Sequence, residues 1–90
     1  MPLETSKDIA RYFQVHSVSV RPEAARTLIE HLSKIKFNEQ KQRYLDKFLS
    51  LLKDLQKVSY QANTLVLDSD TTESICNSTQ LREFDPAISH

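Results

Sequence analysis

A chain of 90 residues without a single glycine must turn without the residue for which positive φ carries no penalty. Dinucleotide-binding loops, P-loops and type I′ hairpins all lean on glycine, for a left-handed backbone or for close approach to a phosphate. None of the three is expected here. What remains is a fold built of helices and loops turned by asparagine, aspartate and proline, and Pro22, Asn38, Asn63 and Asp68 are the candidates. At this length the chain makes one small domain with a modest core, drawn from a 39% apolar composition.

Charge divides the chain. Twelve Lys and Arg balance twelve Asp and Glu, so the formal net charge is zero. Residues 1–58, however, hold eleven of the cations and only seven acids, whereas residues 59–90 hold Arg82 against five acids. A basic body and an acidic end are therefore expected, with a break near Ser59. No stretch reaches the roughly 18 apolar residues of a membrane span. The opening residues 1–7 lack the apolar centre of a secretory signal, and with one cysteine the expected setting is intracellular.

Hydrophobic spacing supplies the elements. Thr5 and Asp8 have capping-box spacing ahead of Ile9, Tyr12 and Phe13, predicting a first helix over about 5–15. Ser17–Val20 alternates with period two, a short strand. Pro22 then suits the first turn of a second helix whose stripe is Ala25, Leu28, Ile29, Leu32 and Ile35. Phe37-Asn38 interrupts it, with Asn38 as the expected N-cap of a third helix over about 39–58. That helix has a wide apolar face (Tyr44, Leu45, Phe48, Leu49, Leu51, Leu52, Leu55, Val58). The short link predicts that the second and third helices pair antiparallel. Leu65–Leu67 is a second strand, expected to pair with the first, and Asp68 or Ser69 caps a short helix to about Asn77. That last helix has little to bury beyond Ile75, Cys76 and Thr72. The outcome is a mainly α fold, a small four-helix domain with two short β-strands over 1–77 and a flexible tail or linker over 78–90.

Catalytic and metal chemistry find no footing. Cys76 stands in an acidic segment, which disfavours the thiolate a nucleophile needs. His31 flanks the apolar stripe of the second helix, while His16 and His90 have no partner at ligand spacing. Asp68, Asp70 and Glu73 look like the start of a calcium loop, but its sixth position is Glu73 where glycine is required. No enzyme, metal site or cofactor is expected. The aromatic residues Phe13, Phe37, Tyr44 and Phe48 fall on the apolar stripes, so they are read as core. The remaining candidate is the outer face of the third helix, where Arg43 and Lys47, and again Lys53 and Lys57, stand four apart. Asp46 and Asp54 interleave with them, which favours a solvated face or a docking patch for an acidic protein over a nucleic-acid site.

The run from Val18 to Leu32, Val-Ser-Val-Arg-Pro-Glu-Ala-Ala-Arg-Thr-Leu-Ile-Glu-His-Leu, resembles the opening of the N-terminal domain of the DNA polymerase epsilon B-subunit family. The long helix, short strand and small last helix follow in the same order, so that the resemblance covers about residues 5–77. It implies a small helical domain similar to the C-terminal lid of AAA+ ATPases, without ATPase machinery. It further implies a monomeric, nuclear adaptor that links polymerase to the replicative helicase through the GINS complex. Two alternatives stay open: a small helical DNA-binding module using the same cations, and a domain that self-associates through the third helix.

Overall fold

The computed structural model describes residues 3–55 and 59–86. Along the chain run α1 (Ser6–Gln14), β1 (Val18–Val20), α2 (Pro22–Leu32), α3 (Asn38–Lys53), β2 (Ser59–Gln61), β3 (Thr64–Leu67), α4 (Ser69–Cys76) and a 3-10 helix (Thr79–Phe84). The protein is thus a small mainly α domain, with a sheet of three short strands rather than two.

Helix α1 starts where the capping box puts it. Thr5 Oγ1 accepts from Asp8 N at 3.2 Å, and the Asp8 carboxylate accepts from Thr5 N at 3.1 Å, so two otherwise orphaned donors are satisfied reciprocally. Helix α2 opens with Pro22 at its first position. Two boundaries of α3 depart from the expectation. Asn38 is the first helical residue and Phe37 the cap, without a side-chain hydrogen bond, because Phe37 already has the extended backbone a cap position needs (φ −104°, ψ 138°). The helix also stops at Lys53 with Asp54 as its C-cap. Leu55 is consequently 40% exposed instead of extending the apolar face, and Val58 lies outside the described residues.

The sheet has the order β1-β3-β2. Strands β1 and β3 run parallel in register Val18↔Leu65 and Val20↔Leu67, and the required crossover is supplied by α2 and α3. Two further bonds flank this pair: Leu65 N donates to Ser17 O at 3.1 Å, and Arg21 N to Leu67 O at 3.0 Å. Strand β2, which the sequence reading did not anticipate, joins β3 antiparallel, with Gln61 opposite Thr64. The loop between them is just Ala62-Asn63, with φ of 51° and 64°. Left-handed backbone at both positions is what a type I′ hairpin requires. The chain therefore makes the turn that its lack of glycine argued against. Asparagine tolerates this region through its short polar side chain, and alanine bears a steric penalty there of about 1–2 kcal/mol. Ser17 (φ 61°) is the third left-handed residue.

Ile9 and Phe13 of α1, Leu28 and Leu32 of α2, Leu45, Phe48 and Leu52 of α3 and Leu67 of β3 are buried almost completely. Phe13 and Phe48 meet edge to face, centroids 5.8 Å apart, which ties α1 to α3. The close antiparallel pairing expected of α2 and α3 is not what organises the helices. Contact between helices is most extensive between α2 and α4, then between α1 and α2, and α4 also touches α3. Helix α4 serves as this shared element by burying Ile75 in the core and the small Thr72 towards its neighbours. Ala24 and Ala25 on α2 and Thr72 on α4 are all buried, so the two backbones can come close. Thr72 satisfies its hydroxyl within the helix, donating to Asp68 O at 2.7 Å.

The segment read as a tail carries structure as well. Ser78 Oγ accepts from Gln80 N at the start of the 3-10 helix, Leu81 is buried, and the Phe84 ring lies against Tyr44 at 5.4 Å. Leu81 and Phe84 are three apart, which is the 3-10 repeat, so both fall on one side.

Candidate protein-interaction surface

Of the four cations singled out, the three on α3 that the structure describes do not form one patch. Arg43 and Lys47, one helical turn apart, converge on Glu83 of the 3-10 helix. Lys47 Nζ bonds its Oε1, and Arg43 lies 3.9 Å from its Oε2. The Lys47 hydrogen bond, helped by the charges of Lys47 and Arg43, holds the Glu83 carboxyl below its ordinary range. Lys53 is six residues beyond Lys47, so at 3.6 residues per turn it points roughly 120° away, and it is exposed. Lys57 lies outside the described residues.

The acids interleaved with these cations divide as well. Asp46 accepts the hydroxyl of Tyr12 from α1. Burial, together with this bond and the Asp46 charge, pushes the Tyr12 phenol well above its ordinary pKa and keeps it a donor. The outer side of α3 is therefore stitched to both ends of the chain, to α1 through Asp46 and to the 3-10 helix through Arg43 and Lys47. A phosphate backbone approaching the latter two would have to displace a carboxylate, so they do not make an open electropositive stripe. The apolar face that a dimer seam would need is spent on the protein's own core, since Tyr44, Leu45, Phe48, Leu49 and Leu52 are all buried.

Beneath the 3-10 helix lies a half-open cleft of about 630 Å³ whose lining includes His31, Ile35, Tyr44, Cys76, Leu81 and Phe84. Tyr44 is 3% exposed, and its buried hydroxyl has no well-formed hydrogen bond among the described residues, its polar neighbour being the Cys76 thiol. Burial raises the pKa of both groups. A thiol shifted upward is a poor nucleophile at neutral pH, in keeping with the reading of Cys76 as a small half-buried hydrophobe. His31 is half-buried at the rim. Burial first, and then the Lys34 charge, lower its pKa despite the opposing pull of Glu73 and Glu30, so the imidazole is neutral near pH 7. Asp68 is occupied in capping α4, accepting from Thr71 N at 2.8 Å, and this lowers its pKa. Among the described residues no three His, Cys, Asp or Glu side chains cluster as a metal site would require.

Among the described residues, four large apolar side chains face solvent: Val15, Phe37, Leu55 and Tyr60. Phe37 had been assigned to the core, yet it is 65% exposed in the link before α3, because the helix begins one residue after it and turns the ring outward. Glu83 is the functional neighbour that sequence reasoning missed. Its pairing with α3 spans 36 residues and leaves no local signature beyond its place between Leu81 and Phe84. Comparison of the chain with protein-family models, with curated proteins and with solved structures finds no match.

Proposed function

We propose that this domain is a non-catalytic adaptor of the DNA polymerase epsilon B-subunit type, holding the polymerase to the replicative helicase in the nucleus. One observation carries the reading. What supports it is the element order on which the resemblance rests, a short strand leading through Pro22 into a leucine-striped helix, then a long helix, a strand and a small last helix, with the extra strand β2 ahead of β3. The likeness to the AAA+ lid domain belongs to the same proposal.

Arg43 and Lys47 on α3, in exchange for their pairing with Glu83, are the cations on which an acidic partner would dock, while Lys53 lies on a different side of the helix. Complementary charge there would steer encounter and set orientation, with the surrounding contacts supplying most of the affinity. The direct test is retention of the polymerase catalytic subunit, GINS or helicase subunits on the immobilised domain. Arg43→Glu combined with Lys47→Glu should lower that retention at least tenfold. An unaltered domain that retains none of these proteins sinks the adaptor reading.

A further inference from the structure

We propose that the segment Ser78–Pro86 is a reversible intramolecular latch, packed on Tyr44 beside the half-open cleft that Cys76 lines and holding Lys47, with Arg43 close by, through Glu83. The inference concerns the chain itself and holds whether or not the adaptor reading does. Three side chains of the segment are placed against the body. Leu81 is buried, the Phe84 ring is half-buried against Tyr44 at 5.4 Å, and Glu83 takes both α3 cations. Its start is tied to α4 by Ser78 N on Ile75 O, while the bonds of Gln80 N on Ser78 Oγ, Leu81 N on Ser78 O and Asp85 N on Arg82 O stay local. The fit against the body is loose, for the cleft of about 630 Å³ runs between the segment and α2, α3 and α4.

A six-residue 3-10 turn held by two apolar anchors and exposed ion pairs opens more readily than the core does. Few buried contacts and exposed hydrogen bonds are the physical marks of a low-stability unit. Opening has a definite consequence for α3. When Glu83 withdraws, Arg43 and Lys47 lose their carboxylate together, the Tyr44 ring is uncovered, and the cleft around the half-buried Cys76 thiol opens wider. An acidic partner that engages Lys47 must displace Glu83, so partner binding there and latch opening are coupled.

Cys76, the chain's single thiol, reports the opening. Its rate of reaction with a chromogenic aromatic disulfide is to be compared in the intact protein, in Leu81→Ala and in Glu83→Lys, with urea melts on each. Leu81→Ala removes the main anchor and should speed labelling roughly ten- to a hundredfold, the range that losing a buried leucine allows at an edge site. Glu83→Lys changes an exposed side chain, leaves the body folded, and should speed labelling severalfold by repulsion from Arg43 and Lys47. Both increases with little change in the urea midpoint establish the latch. Unchanged rates overturn it, as does labelling that rises only in step with a falling midpoint, since the segment then opens only when the whole domain unfolds.

Discussion

Replacing Ala62 with glycine should stabilise this protein, although glycine for alanine is ordinarily a destabilising change. Ala62 has φ of 51° in the two-residue turn between β2 and β3. An L-residue with a Cβ is penalised there by about 1–2 kcal/mol, because the Cβ crowds the following carbonyl oxygen. Glycine removes that penalty but adds backbone freedom to the unfolded chain, which takes back about 0.4–1 kcal/mol. The net gain is about 0.5–1 kcal/mol, or roughly 2–8 °C in melting temperature for a domain this small.

The matched control is Ala10→Gly, at an exposed position inside α1. There the backbone is helical, no strain is relieved, and the substitution should cost about 1 kcal/mol. Thermal and urea unfolding followed by far-ultraviolet circular dichroism measures both variants. The reasoning requires opposite signs. If Ala62→Gly lowers the midpoint as Ala10→Gly does, residue 62 does not adopt the left-handed backbone and the type I′ hairpin is refuted.

Phe48→Ala, which empties a fully buried site and removes the edge-to-face contact with Phe13, should cost about 3–5 kcal/mol and so consume much of the stability of a domain this size. A urea midpoint within experimental error of the parent would contradict its place in the core. Thr5→Ala should cost about 1 kcal/mol through loss of the α1 cap, visible as reduced helicity and a lower melting temperature. The Asp8, Asp68 and Glu83 carboxyls all have folded pKa values below their unfolded ones, so their stabilisation is complete above about pH 5 and is lost as pH falls through the lowered values. Melting temperature should accordingly drop most steeply below pH 4. His31 works in a separate window: with its folded pKa depressed, the unfolded chain takes the proton first and stability declines from about pH 6.5 downward. A His31→Gln variant should flatten the melting profile between pH 7 and pH 5 and leave the more acidic limb unchanged.

The parts of the fold legible in the sequence are those governed by local rules. Thr5 with Asp8 and Pro22 mark helix starts because the relevant hydrogen bonds and φ values belong to neighbouring residues. The stripes of α2 and α3 follow from periodicity, and the composition of Val18–Val20 and Leu65–Leu67 marks them as partners, although their parallel sense is set by the crossover through α2 and α3. Strand β2 was hidden because Ser59-Tyr60-Gln61 contains one strongly β-favouring residue, and because a hairpin without glycine was discounted. That discount treated a preference as a requirement. Helix α4 looked too polar to pack, yet it buries Ile75 in the core and the small Thr72 towards its neighbours. The candidate interaction surface was half legible. Arg43 and Lys47 share a face by helical spacing, whereas their neutralisation by Glu83 is a tertiary event that no window of local sequence contains.

The placement of strain supports one further step. Among the described residues, the three left-handed ones all flank the sheet: Ser17 stands before β1, and Ala62 with Asn63 before β3. Strain at Ser17 has a local return, since its carbonyl is thereby placed to accept from Leu65 N and lengthen the parallel ladder. Three strands of three or four residues are too small to stand alone, so stability must come from what they insert into the helical core. Val18, Leu65 and Leu67 are buried, whereas Tyr60 is 68% exposed and Gln61 is exposed as well. The sheet therefore divides into a β1–β3 pair fixed by the core and an outer strand held mainly by its backbone bonds to β3. Amide exchange should resolve the two. The Leu65 and Arg21 amides, bonded to Ser17 O and Leu67 O, should exchange only in openings close to global unfolding, and the amides of β2 at least a hundredfold faster. Equal protection across all three strands would mean that the hairpin is as deeply anchored as the parallel pair, and that the strain at Ala62 is offset by packing rather than tolerated at a yielding edge.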